Sequence, residues 1–210
     1  MHTDLMTFSE QLAPLSSLDA CLAHVLQVIN PLGFKTLIYD YAPVPVSHEG
    51  ALITPSVFKA LNAPGDMHAQ WCERGYYQID PVQQCAARRT TPFAWSFSTD
   101  THWNGALTEA HRPVAHYICD YGLSTGLTVP LHLPDGGFAT LTAFVDGAPA
   151  EAEQHAQRNL GEMLVLAHTF QARASELLAP AERCCTHIHL TRRERECLQH
   201  SAKGLSAKGI

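Results

Sequence analysis

The sequence predicts an α+β fold in which a central antiparallel sheet carries helices on both faces and a cavity lies between sheet and helices. Two observations predict it. Strand patterns occur as hairpins, most clearly where residues 127–133 and 138–145 flank a turn. Helical spacing of apolar residues precedes and follows these strands, as at 18–29 and 150–178. Hairpins flanked by helical segments are typical of layered α+β domains.

The composition predicts one globular domain with an appendage. The chain has 210 residues, of which 46% are hydrophobic and 16% charged, enough for a substantial core. Its net charge of −6 argues against nucleic-acid binding through bulk electrostatics. Seven cysteines, an odd number, predict reduced thiols rather than a disulfide framework. The first residues show neither a signal peptide nor a membrane span, so we expect a cytoplasmic protein.

The first clear helix is predicted at 18–29. Ser17 suits its N-cap position, and Asp19 complements the helix dipole in the first turn. The sequence Pro-Leu-Gly at 31–33 ends this helix, since proline and glycine both interrupt helical patterns.

A strand is predicted at 35–41, with Tyr39 and Tyr41 on one of its faces. These tyrosines are either ordinary core residues or part of a pocket wall, because a phenol combines apolar area with a hydrogen-bonding tip. The run 51–54 is a weak second strand. The pattern at 56–62 fits either a helical turn or a strand.

Residues 66–75 predict a short helix. Asp66 suits its N-cap, since a carboxylate can accept hydrogen bonds from the first backbone N–H groups. Met67 and Trp71 lie one turn apart on the same helical face. Gly75 suits the position just after the helix.

A second short helix is predicted to begin at Asp80 and Pro81. Asp80 suits the N-cap, and Pro81 the first helical position, where its missing N–H costs nothing. With Trp95 further along the chain, the two helices bring a thioether, two indoles and a carboxylate close together. From spacing alone, these residues are either a cap with three core residues or a recognition site.

The segment 106–121 predicts a helix that contains His116, Cys119 and Asp120. Such residues could suggest a Cys-His hydrolase. Adjacent residues diverge around a helix, however, and no nucleophile turn or oxyanion signature accompanies them. We therefore predict no catalytic activity.

The last two strands, 127–133 and 138–145, are joined by a Pro-Asp-Gly-Gly turn. Thr140 and Thr142 share one face of the second strand with two phenylalanines. Strand propensity alone explains both threonines. The amphipathic pattern of 150–178 then predicts one long helix, which could close the sheet and leave surface for a partner.

The segment 179–189 is predicted to be a linker. It contains Cys184, Cys185, His187 and His189, side chains that soft metals favour. Structural zinc sites usually draw ligand pairs from separate segments so that a tetrahedron can close. We therefore predict no metal and no other cofactor.

The end of the chain starts a new unit. Thr191 and Glu194 form a capping box, Gly204 suits a turn, and Ser206 suits the cap of a second helix. The residues Leu-Thr-Arg-Arg-Glu-Arg-Glu-Cys-Leu, followed by Gly-Leu-Ser-Ala-Lys-Gly-Ile, resemble the start of the LuxR-type helix-turn-helix. That motif runs Leu-Thr-x-Arg-Glu-x-Glu-x-Leu and then Gly-x-Ser-x-x-x-Ile. Cys197 departs from its usual Met or Val.

The central segment resembles the ligand-recognition segment of LuxR-type quorum-sensing regulators. Asp80, with the proline after it, and Trp95 and Gly126 match the family pattern. Met67 stands where the family has Trp, and Trp71 where it has Tyr. This double change resembles the LuxR solos of plant-associated bacteria, which are understood to answer plant-derived compounds rather than acyl-homoserine lactones. The resemblance therefore implies interkingdom signalling.

The resemblance implies a particular loss of ligand contacts. In acyl-homoserine-lactone receptors the two aromatic donors are understood to hold the lactone and amide carbonyls, while the aspartate accepts from the amide N–H. Met67 lacks a donor, and the indole of Trp71 aims its single N–H differently. The resemblance therefore implies a small polar ligand that has a hydrogen-bond donor for Asp80.

The resemblance implies a ligand-responsive transcriptional regulator made of a ligand-binding domain (1–178), a linker (179–189) and the beginning of a helix-turn-helix (190–210). Its partners would be a small-molecule signal, DNA and a second copy of the chain, with no membrane. Further helices would be needed beyond Ile210, whether the chain is a piece or ends there. The alternative is a sensor that acts through protein–protein contacts without DNA binding. In the family a hydroxyl residue at a matching place on the last strand often contacts ligand, and Thr142 matches it by counting from the turn. The candidate ligand-binding residues are therefore Met67, Trp71, Asp80, Trp95, Tyr39, Tyr41 and Thr142.

Overall fold

The structure, a computed structural model, describes residues 5–97, 107–147, 149–185, 191–202 and 204. The strands in these ranges are β1 (Phe34–Ala42), β2 (Val57–Leu61), β3 (Phe93–Ser96), β4 (Thr125–His132) and β5 (Phe138–Val145). The α-helices are α1 (Leu5–Leu12), α2 (Leu18–Ile29), α3 (Tyr76–Ile79), α4 (Pro81–Ala86), α5 (Arg112–Asp120), α6 (Pro149–Arg158), α7 (Leu160–Leu177) and α8 (Arg192–Ala202). A π-helical turn spans Ala69–Glu73, and 3-10 turns span Asn30–Leu32 and Glu109–His111.

The strands form one antiparallel sheet in the order β2-β1-β5-β4-β3. The predicted hairpin is confirmed as β4 and β5. The segment 56–62, for which the pattern allowed helix or strand, contains the edge strand β2. The weak strand predicted at 51–54 is reduced to a single bridge between Leu52 and Val46.

Each face of the sheet carries its own apolar core, because side chains alternate between the two faces along every strand. On one face, strand residues such as Leu37 and Val129 pack against α1, α2, α6 and α7. On the other face, residues such as Ile38 and Phe144 pack against side chains of α4, α5 and the π-helical turn. The predicted sheet with helices on both faces is confirmed.

The helix caps follow the sequence more closely than the helix lengths do. The Ser17 hydroxyl accepts a hydrogen bond from the N–H of Ala20 (3.2 Å), which confirms the predicted cap of α2. The single helix predicted over 150–178 is wrong, because α6 and α7 meet at Asn159. There the backbone leaves the helical region (φ −98°, ψ 4°), and the Asn159 amide donates to the carbonyl of His155 (2.8 Å). A side chain that bonds the backbone locally competes with helical pairing.

Helix α5 is shorter than the predicted helix over 106–121. It begins at Arg112 with Pro113 in its first turn, where a missing N–H is tolerated. Helical spacing over 106–121 would place Leu107, Val114 and Ile118 on one inward face; Leu107 is exposed, whereas Val114 and Ile118 are buried. The local pattern therefore identified the buried face but not the start of the helix.

The capping box at the end of the chain is present. The backbone N–H of Thr191 donates to the Glu194 carboxylate (2.7 Å), and the N–H of Glu194 donates to the Thr191 hydroxyl (3.3 Å) at the start of α8. A helix-turn-helix is not shown, since residues 205–210, with the predicted second helix, lie outside the described residues. None of the described helices combines the length and apolar character needed to cross a membrane.

The cysteine- and histidine-containing linker is described only in part. Cys184 and Cys185 are free thiols, whereas His187 and His189 lie outside the described residues. In the part of the chain that the structure describes, no three His, Cys, Asp or Glu side chains are placed to hold a metal ion. The expectation of no metal at this linker therefore stays a prediction.

Candidate ligand-binding site

A small cavity lies within the second core, between the sheet and the helical segments that cover it. It offers about 20 Å³ to the centre of a water molecule, room for about one water, because bulky side chains fill the surrounding space. Four of the seven candidate residues line it, namely Trp71, Asp80, Trp95 and Thr142. The full lining is Ile38, Phe58, Trp71, Asp80, Val82, Gln83, Trp95, Ile118, Thr142 and Phe144.

The Asp80 carboxylate is the charged group in the wall of this cavity. Gly75, with a left-handed backbone (φ 80°), ends the π-helical segment, and Asp80 then caps α4 by accepting from the N–H of Val82 (2.8 Å). Its other oxygen accepts from the indole Nε1 of Trp71 (2.9 Å). Burial raises the pKa of Asp80 to about 6, although the hydrogen bonds from Trp71 and the backbone lower it. The predicted role of Asp80 as a helix cap is confirmed, and the indole of Trp71 is a buried hydrogen-bond donor to the same carboxylate.

Trp95 forms an apolar wall because its N–H is already bound within the protein. Its Nε1 donates to the hydroxyl of Thr128 (2.9 Å), whose oxygen lies 2.9 Å from that of Thr142. Gly126, on the strand beside Trp95, lies directly against the ring. A Cβ at Gly126 would be 2.7 Å from Cζ2 of Trp95, so only glycine permits this packing.

A buried polar network that we did not identify from the sequence adjoins the cavity. The carboxylate of Asp40 on β1 accepts from the Thr140 hydroxyl (2.5 Å), the Gln83 amide (2.8 Å) and the Tyr77 hydroxyl (3.1 Å). Burial raises the pKa of Asp40 to about 7, while these hydrogen bonds lower it. Because side chains alternate along β1, Asp40 lies on the face of the sheet away from Tyr39, and this alternation is the only sequence signal for the network. The signal is ambiguous, because in a sheet with one solvated face the same alternation would leave the aspartate in contact with water.

Three of the candidate residues are not part of the cavity wall. Tyr39 and Tyr41 project from the opposite face of β1, where the Tyr39 hydroxyl donates to Gln171 (3.0 Å). Because side chains alternate along a strand, Ile38 reaches the cavity and the two tyrosines do not. Met67 is fully buried in the same core as the cavity but does not line it.

The carboxylate of Asp66 has a different role from the predicted helix cap. It accepts from the Tyr117 hydroxyl (2.6 Å) and from the Gln70 amide (3.0 Å), and the helix predicted to follow it is largely a π-helical turn. The Tyr117 ring packs against Trp71, with 5.5 Å between ring centroids. Asp66 thus joins the π-helical segment to α5 beside the cavity.

The model of the "Autoinducer binding domain" family matches residues 17–174, which is most of the chain. This chain belongs to the autoinducer-binding domain family. The resemblance to LuxR-type regulators is confirmed by similar proteins that include the transcriptional activator protein RaiR of Rhizobium etli and the quorum sensing-dependent transcriptional regulator RpaR of Rhodopseudomonas palustris. Each is 28% identical, over 151 residues for RaiR and 188 for RpaR. The matches cover 71% and 90% of this chain, but 60% of RaiR and 71% of RpaR.

Solved structures share the fold of this autoinducer-binding domain. The N-acylhomoserine lactone-dependent LuxR family transcription factor CepR2 of Burkholderia cenocepacia has a TM-score of 0.64 at 20% identity, covering 83% of this chain and 96% of that one. SdiA in complex with octanoyl-rac-glycerol has a TM-score of 0.61 at 16% identity, covering 97% and 78%. At these identities the likeness establishes the fold alone.

We expect Gly126→Ala to lower the free energy of unfolding of this domain by about 1–3 kcal/mol, the usual cost of overpacking a core. The added methyl group would meet Trp95 at 2.7 Å and the carbonyl oxygen of Ala143 at 3.0 Å. Because the backbone cannot yield easily, the indole must move, and its hydrogen bond to Thr128 is lost. Urea denaturation monitored by tryptophan fluorescence measures the change.

Gly161→Ala provides the matched control for this substitution. Gly161 lies in α7, and a Cβ there meets no atom within 4 Å. We expect no loss of stability and a gain of up to about 1 kcal/mol, because alanine is the better helix former. Equal stability of the Gly126→Ala and Gly161→Ala variants would contradict the packing argument.

We expect the two buried aspartates to make the domain less stable as the pH rises from about 4 to about 7. Their pKa values are raised on folding, to about 7 for Asp40 and about 6 for Asp80, so the folded protein holds protons that the unfolded chain has released. This contribution is complete below the unfolded pKa of about 4 and is lost as the pH rises through the folded pKa values.

The variant Asp40→Asn isolates the share of Asp40 in this pH dependence. The wild type should lose more unfolding free energy than the variant between pH 5 and pH 8, as measured by urea denaturation at both values. Groups that the two proteins share contribute equally to both and cancel in the comparison. Parallel losses in wild type and variant would show that Asp40 has an ordinary pKa.

Proposed function

We propose that this chain is the ligand-sensing part of a LuxR-type transcriptional regulator, and that a small molecule binds beside Asp80 when the surrounding side chains shift and widen the cavity, which now has room for about one water. One observation carries the proposal. The aspartate that matches the family's recognition motif is buried in the wall of a largely apolar cavity, a setting typical of small-molecule sites. A carboxylate accepts about four hydrogen bonds, and those from Trp71 and the backbone leave room for a ligand donor.

We infer that the ligand is small and polar, of plant origin, and not a long-chain acyl-homoserine lactone. The Trp71 indole is committed to Asp80, and its bulk occupies space that an acyl chain would need. Met67 carries no hydrogen-bond donor at the position where lactone receptors of this family are understood to hold a carbonyl. A buried carbonyl left without a partner costs about 1–3 kcal/mol.

The regulatory mechanism is proposed by analogy with the full-length relatives, because this chain matches 60% of the length of RaiR and not the whole of it. Ligand binding would fill the cavity of the domain (1–178) and favour a homodimer. Helix α7, 18 residues long with Val165 exposed, offers surface for a second copy. The linker (179–189) would then position a helix-turn-helix that begins at 190–210, acting on DNA in the cytoplasm without catalysis of its own.

Ligand binding is tested by native mass spectrometry of the chain after incubation with plant-leaf extract or with a mixture of acyl-homoserine lactones. We expect an added mass from the extract, retained by the wild type and lost in Asp80→Asn. An added mass from the lactones with none from the extract would contradict the ligand class. No added mass from either source would contradict sensing through this cavity.

DNA binding is tested by gel-shift assays on the DNA upstream of the encoding gene. A protein extended through a complete helix-turn-helix should bind a two-fold symmetric site, whereas residues 1–210 should bind no specific site because the recognition helix is not among them. A sequence-specific complex with residues 1–210 alone would contradict this division of roles. A failure of the extended protein to bind any site would favour a sensor that acts through protein–protein contacts.

A further inference from the structure

Gln83, like Asp80 and Thr142, is a polar residue that lines the cavity. It is the third residue of α4 and is 4% exposed. Its amide nitrogen is fully engaged, donating to Asp40 (2.8 Å) and to the Thr140 hydroxyl (3.1 Å). Its oxygen Oε1 is buried, and no group among the described residues donates to it.

The orientation of the Gln83 amide is determined by its neighbours. Above its pKa of about 7 the Asp40 carboxylate is ionised and can only accept hydrogen bonds, as it does from the Thr140 hydroxyl (2.5 Å) and from the Gln83 amide (2.8 Å). Rotating the amide would set its oxygen against the ionised carboxylate, and two acceptors in contact repel each other. The nitrogen of Gln83 therefore faces Asp40, and Oε1 is left without a protein donor.

An unpaired acceptor in this place is uncommon and costly. More than nine tenths of buried polar groups in proteins have a hydrogen-bond partner, and an unsatisfied one destabilises the fold. The cavity is the accessible space that Gln83 lines, so a donor for Oε1 can come from a molecule bound there. Such a molecule is either a single water or part of a ligand.

We propose that Gln83 is a second recognition residue of the cavity, whose Oε1 accepts a hydrogen bond from the same ligand that donates to Asp80. This inference rests on the proposed function, since it names the ligand class of that site. The ligand is then a small molecule with two separate hydrogen-bond donors and an apolar part that faces the aromatic wall of Trp95 and Phe144. An acyl-homoserine lactone without a hydroxyl on its acyl chain has one donor, its amide N–H, and would leave Oε1 unpaired.

The test uses three probes of the same shape that differ only in the number of donors. Resorcinol has two hydroxyl donors, 3-methoxyphenol has one, and 1,3-dimethoxybenzene has none. Dissociation constants are measured at pH 8, above the pKa of Asp40, from the shifts of the Trp71 and Trp95 indole N–H resonances in NMR titrations. These two indoles line the cavity and report its occupancy independently of Gln83.

We expect the wild type to bind resorcinol about tenfold more tightly than 3-methoxyphenol, as one buried hydrogen bond predicts. In Gln83→Met, an apolar residue of similar length, this ratio should fall to about two, the statistical advantage of two equivalent hydroxyls. The preference for 3-methoxyphenol over 1,3-dimethoxybenzene, which depends on Asp80, should remain. Thr140→Val is the matched control, since it disturbs the same network but keeps Oε1, and it should retain both preferences.

Several outcomes would overturn the inference. A wild-type ratio of about two would mean that Oε1 is satisfied by water, and a tenfold ratio that survives in Gln83→Met would place the second donor elsewhere. No response of the indoles to any probe would exclude this ligand class for the cavity. If Gln83→Met does not fold, the wild type alone tests the inference. A tenfold preference for resorcinol over 3-methoxyphenol, together with a shift of the Gln83 side-chain amide resonance on adding resorcinol, would support it, and the absence of either would contradict it. Failure of the proposed function itself would be seen in a different experiment, the native mass spectrometry described above, as the absence of any added mass from the plant-leaf extract.

Discussion

Replacing Asp80 with asparagine should abolish the response to the ligand and lower the free energy of unfolding by about 1–3 kcal/mol. The asparagine oxygen can still accept from the N–H of Val82, as the carboxylate does at 2.8 Å. Its NH₂ group must then face the indole N–H of Trp71, which lies 2.9 Å from the present carboxylate oxygen. Two donors in contact cannot form a hydrogen bond, so the buried indole loses its partner. The ligand donor likewise loses its acceptor.

Asp135→Asn is the control for this change. The Asp135 carboxylate accepts from a backbone N–H two residues further on, as the carboxylate of Asp80 does, but it lies in the exposed turn between β4 and β5. We expect both stability and ligand binding to stay within experimental error. Stability is measured by urea denaturation, and ligand binding by native mass spectrometry with plant-leaf extract. Full retention of the extract-derived mass by Asp80→Asn would show that Asp80 is only a helix cap.

The double substitution Met67→Trp with Trp71→Tyr should raise the affinity for a long-chain acyl-homoserine lactone by about tenfold to a hundredfold. Tyrosine at position 71 would free the Asp80 oxygen that now accepts from the indole, and it would enlarge the cavity. Tryptophan at position 67 would supply the second donor. Calorimetry with N-dodecanoyl-homoserine lactone measures the change.

The structure adds a stability cost to this prediction. Met67 is fully buried and outside the cavity wall, so a larger ring must displace its neighbours at a cost of about 1–3 kcal/mol. Met67→Trp with Trp71→Phe is the control, because it has the same packing change without the tyrosine hydroxyl. It should gain less affinity than the tyrosine variant. Tight binding of the lactone by the wild type, undiminished relative to the double variant, would show that these two positions do not set the ligand class.

The parts of the site that could be predicted from sequence depend on neighbours along the chain. Asp80 was identified as a helix cap because the acceptor and the N–H of Val82 are two residues apart. The hairpin of β4 and β5 followed from its turn residues, and the capping box of Thr191 and Glu194 from their spacing. The motifs around Asp80 also carried the family resemblance, which the match over 17–174 confirmed.

The single helix predicted over 150–178 shows the limit of pattern alone. The apolar spacing continues across Asn159, so hydrophobic periodicity contains no sign of the break. The break depends on a side-chain hydrogen bond from Asn159 to His155, which competes with backbone pairing. Periodicity reports which face is buried, and it is insensitive to one residue that leaves the helical region.

The sequence by itself determined the α+β fold class, the capped position of Asp80 and the departure of Met67 and Trp71 from the family pattern. Only the tertiary structure decided that the Trp71 indole also donates to Asp80, and which donors Asp40 receives. Asp40 is bound by residues 37, 43 and 100 positions away along the chain, and these contacts exist only once β1, β5, α3 and α4 have packed together. Local pattern specifies which side of a strand a residue occupies, whereas the packing of distant elements specifies what covers that side. For this reason Tyr39 and Tyr41 lie outside the cavity, and Gln83 lines it.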